Sequence, residues 1–350
     1  MKIKELENKL SQLSGADRER FYDQIFRIIS QYDYNFTSEE LKKKESEGCV
    51  CPHCGSMKTI KNGVIKGVQR FICNDCKKNF RPSTGSATVN LKKKELFKMY
   101  IPHMLLGKSI RLCAKEVGIS MQTSFDWRHK ILSSFNKQQD DIRLSGICES
   151  DDVYFTFSNK GERNLDRPPR KRGKGIFESK KRGISDEKIA VIISSDRKGN
   201  KHLKAVKRGR ISTKDIESVL KDKIEPKSVL CTDTHRSYTS FAKKNNIEHH
   251  TIKVSAKEYK RGIYHVQHIN SITSDFKLWI NCFKGVSTKY LQNYLNWYAV
   301  IDIIEKAINP AKQTAKMIIA STVAWEQFKN ICNLQYLIIP TNVIRSFRLK

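Results

Sequence analysis

The sequence predicts a multidomain chain: a small β module held by cysteines, then an all-α helix-turn-helix, then a larger α/β domain. Three observations predict it. Two CxxC pairs, Cys51 with Cys54 and Cys73 with Cys76, bracket a short stretch rich in hairpin signals. Residues 91–135 carry apolar positions at helical spacing, interrupted at Gly118. From about Gly146, short apolar runs alternate with amphipathic helical stretches, the pattern of an α/β domain.

Composition narrows the partners. The chain has 350 residues, room for two or three domains, and 39% of them are hydrophobic. Lys and Arg number 66 against 36 Asp and Glu, a formal charge of +30 spread along the chain. A field of that sign attracts a polyanion, so a nucleic acid is the expected partner. No apolar run approaches the roughly 18–20 residues that span a bilayer. The first ten residues lack the apolar core of a secretion signal. The expectation is a cytoplasmic protein with no membrane partner. Of the ten cysteines, Cys113, Cys148, Cys231, Cys282 and Cys332 sit singly in apolar text and read as buried thiols. This is metal-site usage in a reducing compartment, not a disulfide framework.

Taken in order, residues 1–47 read as a helical lead-in with one apolar stripe through Phe21, Ile25, Ile28 and Ile29. Residues 48–82 form the cysteine module, with turns at Asn62-Gly63 and Lys66-Gly67. Its spacing is C-x2-C-x18-C-x2-C. Each CxxC offers two thiolates from one tight turn, and two such turns make a tetrahedral S4 cage suited to a structural Zn²⁺. Cys51, Cys54, Cys73 and Cys76 are therefore the expected ligands, with His53 and Cys49 as second choices. Residues 82–90 read as a linker.

Residues 91–140 form the helix-turn-helix region. Ile110, Cys113, Ala114 and Val117 share one face, Gly118 ends the first helix, and Ser120 caps a second bearing Thr123, Trp127 and Ile131. Lys108, Arg111, Lys115, Arg128, His129 and Lys130 supply positive charge. Met121, Gln122, Ser124 and Phe125 open the second helix and are expected at base edges. Gln122, Ser124 and Arg128 are taken as its DNA contacts.

Residues 145–305 form the α/β domain. Strands are expected at 147–157, 188–194, 202–206, 228–231 and 249–254, and helices at 213–220, 237–244, 268–283 and 289–304. The segment 158–183 is the most basic stretch; Arg170, Lys171 and Arg172 are its candidate phosphate contacts. Residues 306–350 read as a helical tail.

Acids stand out at two places. Glu149-Ser-Asp151-Asp152 interrupts an apolar strand, and Asp233 ends a buried one. Ligands of open α/β sheets gather at strand ends. Such acids hold divalent metals or cap helices, and spacing leaves both open. In the 268–283 helix, Ile272, Phe276, Trp279, Ile280 and Phe283 form an apolar stripe. Asn270, Ser274, Lys277 and Asn281 face away from it. Asn270 and Lys277 are separated by about 10 Å along the axis, so Lys277 is placed to hold a phosphate beside a metal at Asn270. Asp275 is turned away from both.

In this order, the CxxC ribbon, the helix-turn-helix and the acid-bearing domain resemble bacterial insertion-sequence transposases with a ribonuclease-H-like core. More narrowly, they resemble the zinc-ribbon group whose signature is DD(E/N)K. The stretches carrying the likeness are 149–154, 182–188, 196–199, 232–238, 265–277 and 289–297. The resemblance implies that Asp151 and Asp233 are the metal-binding acids, that Asn270 holds the third position and that Lys277 is the motif lysine. Asp152 matches a neighbouring acid that is no ligand. Asn270 departs from the Glu of many relatives: its amide oxygen can ligate but cannot act as a base. Two Mg²⁺ or Mn²⁺ ions, cleavage of transposon ends and joining of the 3′-hydroxyl to target DNA are implied. So are double-stranded DNA as partner, a homodimer or larger assembly on DNA, and a bacterial, nucleoid-associated location. The alternative is an inactive or domesticated copy serving as a zinc-dependent DNA-binding regulator.

Overall fold

The structure is a computed structural model that describes residues 12, 14–17, 20, 36–162, 164–165, 183–253, 256, 258–307, 310–321 and 324–333. In chain order the elements are α1 (Phe36–Glu47), β1 (Thr59–Ile65), β2 (Val68–Cys73), β3 (Asn79–Phe80), α2 (Lys94–Leu105), α3 (Ile110–Val117), α4 (Met121–Ser134) and α5 (Asn136–Asp141). There follow β4 (Ile147–Thr156), β5 (Lys188–Asp196), β6 (Lys201–Arg208), α6 (Thr213–Leu220), β7 (Val229–Thr232), α7 (Arg236–Lys244), β8 (Glu248–Thr251), β9 (Lys260–Arg261) and β10 (Tyr264–His265). The chain continues with α8 (Gln267–Asn281), a 3-10 turn at Thr288–Tyr290, α9 (Leu291–Glu305), α10 (Pro310–Ala320) and α11 (Ala324–Asn333). The chain divides into two compact units. One comprises residues 1–84, 88–125 and 308–320, and the other 85–87, 126–307 and 321–350.

In the first unit, β1, β2 and β3 form an antiparallel sheet in that order. Phe71 and Phe80 stack across it at 5.7 Å and, with Cys49, Cys51 and Cys73, make its small core. The three helical segments α1, α2 and α10 pack together, and α3 lies against α2. Ser109 caps α3 through the Leu112 N–H at 3.2 Å. Gly118 ends that helix at φ +70°, where a side chain would be strained. Ser120 then accepts the Thr123 N–H at 3.1 Å at the start of α4.

The second unit is built on a five-stranded sheet of order β6-β5-β4-β7-β8. β4 and β5 pair antiparallel from Cys148↔Asp196 to Thr156↔Lys188. β6 continues the antiparallel meander, whereas β7 runs parallel to β4 and β8 parallel to β7. Parallel pairing requires crossovers, and α6 and α7 supply them. Ile216, Leu220, Tyr238 and Phe241 of those helices pack on Cys148, Ala190, Ile192 and Leu230 of one sheet face. The unbroken apolar run Ile189–Ile193 is buried throughout, as a central strand covered on both faces requires. α8 covers the other face, where Phe276 meets Phe155 edge-on at 5.5 Å.

One edge of this sheet is closed by side chains. Gln139 accepts the Leu203 N–H at 3.1 Å and donates to the Lys201 carbonyl at 3.1 Å. Gln292 accepts the Ala205 N–H at 2.9 Å and donates to the Leu203 carbonyl at 3.0 Å. Two glutamine amides thus satisfy backbone groups of β6 that face away from β5.

The expected strands and helices of the α/β domain fall within a few residues of those seen. The 249–254 strand is shorter, at Glu248–Thr251. The 82–90 segment is a run of turns in which Ser86 and Ala87 are buried, with the Gly85 carbonyl accepting the Trp325 N–H at 2.9 Å. Of the single cysteines, Cys113, Cys148 and Cys231 are buried as expected. Cys282 is exposed, because it sits at the C-terminal end of α8 about 200° around from buried Ile280. The Cys332 side chain, the 1–47 stripe and residues 334–350 lie outside the described residues. Among the described residues, no helix is long and apolar enough to cross a membrane.

Gln292→Ala would leave the Ala205 amide without its acceptor. It is expected to cost about 1–3 kcal/mol in urea unfolding. An unchanged midpoint would contradict the edge-closing role.

Candidate functional site

The cysteine cluster comes together as its spacing requires. The sulfurs of Cys51, Cys54, Cys73 and Cys76 all lie within 4.8 Å of one another. Cys51 Sγ is 3.6 Å from Cys76 Sγ, and Cys54 Sγ is 3.6 Å from Cys73 Sγ. These separations are far too long for disulfides. They suit the edges of a tetrahedron with Zn–S near 2.3 Å, which are about 3.8 Å. The thiols do not shift together: against the pull of the Ser56 N–H, desolvation and the neighbouring sulfurs push Cys54 up to about 12. The His53 N–H points at Cys51 Sγ, and the Cys76 N–H draws the Cys73 thiol down to about 6. The donor set could therefore hold Zn²⁺. Cys49 stands apart, its thiol donating to the Lys44 carbonyl and pushed up by burial; His53 is exposed and its ring takes no part in the cluster.

Strand β4 sorts the acids by alternation. Ser150 and Tyr154 face α6 and α7, with the Ser150 hydroxyl 3.4 Å from the Tyr238 hydroxyl. Asp152 shares that side. Glu149, Asp151 and Phe155 face α8: the Glu149 carboxylate accepts the Ile269 N–H at 3.1 Å, and Phe155 meets Phe276. Asp151 lies between these two contacts. Burial pushes its carboxyl up to about 6, and the negative charges of Asp152 and Asp233 push the same way. The Asp152 N–H, bonded to Asp151 Oδ1 at 2.8 Å, and the Lys277 ammonium oppose the rise. Asp151, Asp233 and Lys277 thus share one electrostatic field.

Asp233 follows β7 directly and is exposed; its Oδ1 accepts the His235 N–H at 3.0 Å at the start of α7. Asn270 is exposed in the first turn of α8, next to the anchored Ile269, and Lys277 is exposed two turns on. The buried line of α8 runs through Ile269, Thr273, Phe276 and Ile280 rather than through the expected Ile272 and Trp279, which are half-buried, and it leaves Asn270 and Lys277 exposed.

A buried ion pair beside this centre escaped the sequence reading. Glu149 is 1% exposed, and Arg197 Nε and Nη2 lie 3.0 and 2.9 Å from its Oε1. The available signal was an acid two residues before Asp151, hence on the same strand face, in apolar text. Such an acid demands a cationic partner.

Helix α4 departs from what the sequence suggests for its DNA contacts. Gln122 is exposed, as is Met121. Ser124 and Arg128, expected at DNA, are fully buried. The Ser124 hydroxyl donates to the Ile110 carbonyl at 2.7 Å and lies 3.1 Å from the Tyr100 hydroxyl. The Arg128 guanidinium sits 5.8 Å from the ring centres of both Phe283 and Trp297. His129 is buried against Tyr290, and Lys130 lies over Trp325. The Arg128 and Lys130 cations serve aromatic packing, and burial pushes the His129 imidazole down to about 3, so it packs there as a neutral ring. Arg170, Lys171 and Arg172 lie outside the described residues.

Fold and site define a chain with a four-cysteine module and an α/β domain carrying an acidic centre. Residues 143–299 match the family described as ISXO2-like transposase domain. That span contains Asp151, Asp233, Asn270 and Lys277. An uncharacterized protein in transposable element ISH50 of Halobacterium salinarum is 26% identical over 283 residues, covering 79% of this chain and 92% of the relative. Together these support a transposase. A pre-cleavage Mos1 transpososome structure aligns at 12% identity and a TM-score of 0.27, over 66% of this chain and 77% of that one. A Mos1 mariner paired-end complex with Mn aligns at 12% identity and 0.24, over 67% and 77%.

Two outcomes test the site. Cys73→Ser is expected to abolish stoichiometric zinc by elemental analysis and to unfold the ribbon, whose own core is small. Retention of one zinc per chain would contradict the ligand set. Asp151 has its proton affinity raised by folding, so the metal-free protein loses stability as pH rises from about 4 to about 6. Asp151→Asn removes that penalty. It is expected to stabilise the metal-free protein at pH 7 by about 1–2 kcal/mol in chemical unfolding, with partial exposure discounted. The gain should vanish at pH 4.

Proposed function

We propose that the chain is a DNA transposase that cleaves transposon ends and joins the freed 3′-hydroxyl to target DNA. The observation that carries this is the meeting of Asp151, Asp233 and Lys277 in one field on a sheet whose order places β4 at its centre. An antiparallel meander followed by two parallel strands on the far side of β4 is the arrangement of a ribonuclease-H-like core, and we read the domain as one.

In this reading Asp151, Asp233 and Asn270 hold two Mg²⁺ or Mn²⁺ ions. Those ions supply activation of water and stabilisation of charge on the phosphodiester. The chain itself supplies position. Asp151 is held on the central strand, its carboxyl oriented by the Asp152 N–H. Asp233 is oriented by the His235 N–H. Asn270 offers a neutral amide oxygen, which orients but takes no proton. Lys277, about 10 Å further along α8, holds a phosphate of the bound strand.

The cysteine module, loaded with Zn²⁺, stabilises the front of a DNA-recognition arm and takes no part in the chemistry. Gln122, beside exposed Met121, is a base-edge candidate, with exposed Arg111 and Lys115 of α3 as phosphate contacts. Arg170, Lys171 and Arg172 are proposed as further phosphate contacts. The partner is double-stranded DNA. The working form is a homodimer or larger, since two ends must be brought together, and the location is the bacterial nucleoid.

The test is incubation of the full chain with its element's end sequence and Mg²⁺. Nicks with free 3′-hydroxyls are expected. Asp151→Ala and Asp233→Ala should keep end binding in gel shift while losing at least about 100-fold in cleavage, as expected when a metal ligand is removed. A fully active Asp233→Ala protein would overturn the assignment.

A further inference from the structure

The group Glu149, His265 and His268 brings one ligand atom from each residue within 4.8 Å of the others. A cation site there is opposed by Arg197, whose guanidinium already occupies Glu149 Oε1 at 2.9 Å. Glu149 Oε2 is taken by the Ile269 N–H at 3.1 Å. The arrangement is a clamp, and its members come from four separate pieces of chain. Glu149 stands on β4, two residues from Asp151. Arg197 follows β5; its own N–H donates to the Ile147 carbonyl at 3.2 Å, and its Nη2 donates to the Ile263 carbonyl at 3.2 Å in the β9–β10 hairpin. His265 Nδ1 lies 3.4 Å from Glu149 Oε1 and accepts the Gln267 N–H at 3.3 Å, where α8 begins. Ile269 immediately precedes Asn270 and is fully buried.

We propose that Glu149 and Arg197 are positioning residues that lock the first turn of α8 to β4 and so set where Asn270 and Lys277 stand relative to Asp151. The proposal rests on the reading of Asp151 and Asn270 as metal ligands. Two features argue for it over simple stabilisation. Among the described residues, the bond that Glu149 makes to α8 is at Ile269, the residue next to Asn270. A carboxylate 1% exposed is costly to bury, and apolar packing at that position would be at least as stable. A charged clamp instead fixes direction, because its acceptor oxygens admit one placement of the helix amide.

The experiment uses the zinc-loaded full chain. Mn²⁺ binding is followed by loss of the free-ion EPR signal, and amide hydrogen exchange is followed at Ile269 and Asn270. Arg197→Ala is the principal variant, because Arg197 is partly exposed and its loss leaves the sheet core intact. It is expected to weaken Mn²⁺ binding by about tenfold and to speed exchange in the first turn of α8. End binding in gel shift should not change. Arg197→Lys, which keeps the charge, should restore part of the affinity. Glu149→Gln, which keeps an oxygen for the Ile269 amide, should fall between Arg197→Ala and the unmodified protein. Unchanged Mn²⁺ affinity with unchanged exchange in both Arg197→Ala and Glu149→Gln would overturn the clamp. Asp151→Ala alongside separates the two claims. If it leaves Mn²⁺ binding intact, the reading of the acidic centre fails, and exchange at Ile269 still decides whether Glu149 holds the helix.

Discussion

The Arg197–Glu149 ion pair joins β4, the turn after β5, the β9–β10 hairpin and the start of α8, pieces far apart in sequence. A buried carboxylate has to be answered by positive charge or by N–H groups. Glu149 is answered on both oxygens. Asp151, two residues on and on the same face, receives the neighbouring Asp152 N–H and the field of Lys277, and its proton affinity stays high. One face of one strand therefore carries a finished carboxylate and an unfinished one. The finished one fixes geometry, and the unfinished one is free to meet a cation.

The support around this face is aromatic. Phe276, Trp279, Phe283, Trp297 and Tyr298 form a chain of ring contacts between α8 and α9, and Arg128 is seated over two of those rings. Large flat side chains with few rotamers make a stiff layer at small entropic cost. Such backing holds the α8 positions of Asn270 and Lys277, the residues of the proposed site, at a fixed spacing. The same packing explains why Arg128 is unavailable to a nucleic acid.

What could be read in the sequence follows the range of the interaction. The four cysteines were legible because two tight turns and a hairpin bring them together locally. The strand boundaries of the α/β domain were legible because apolar runs between turn residues have few other uses. The roles proposed for Asp151, Asp233, Asn270 and Lys277 rest on a resemblance; spacing alone left helix capping as an equal reading. The sides of α4 were misjudged for a physical reason. Arg128, His129 and Lys130 look like a basic face until Tyr290, Phe283, Trp297 and Trp325 arrive from some 150 to 200 residues downstream to cover them. The Arg197 partner of Glu149 was hidden likewise: a 48-residue separation has no periodicity to betray it.

The two glutamines along β6 have a consequence beyond the hydrogen bonds they satisfy. A sheet edge with free amides can recruit a strand from a neighbouring molecule, and successive copies can then add without limit. With Gln139 and Gln292 standing in for that missing strand, growth on the β6 side is blocked by the chain's own side chains. The sheet is self-limiting there, a useful property for a protein whose formal charge of +30 would cease to keep copies apart if a polyanion neutralised it.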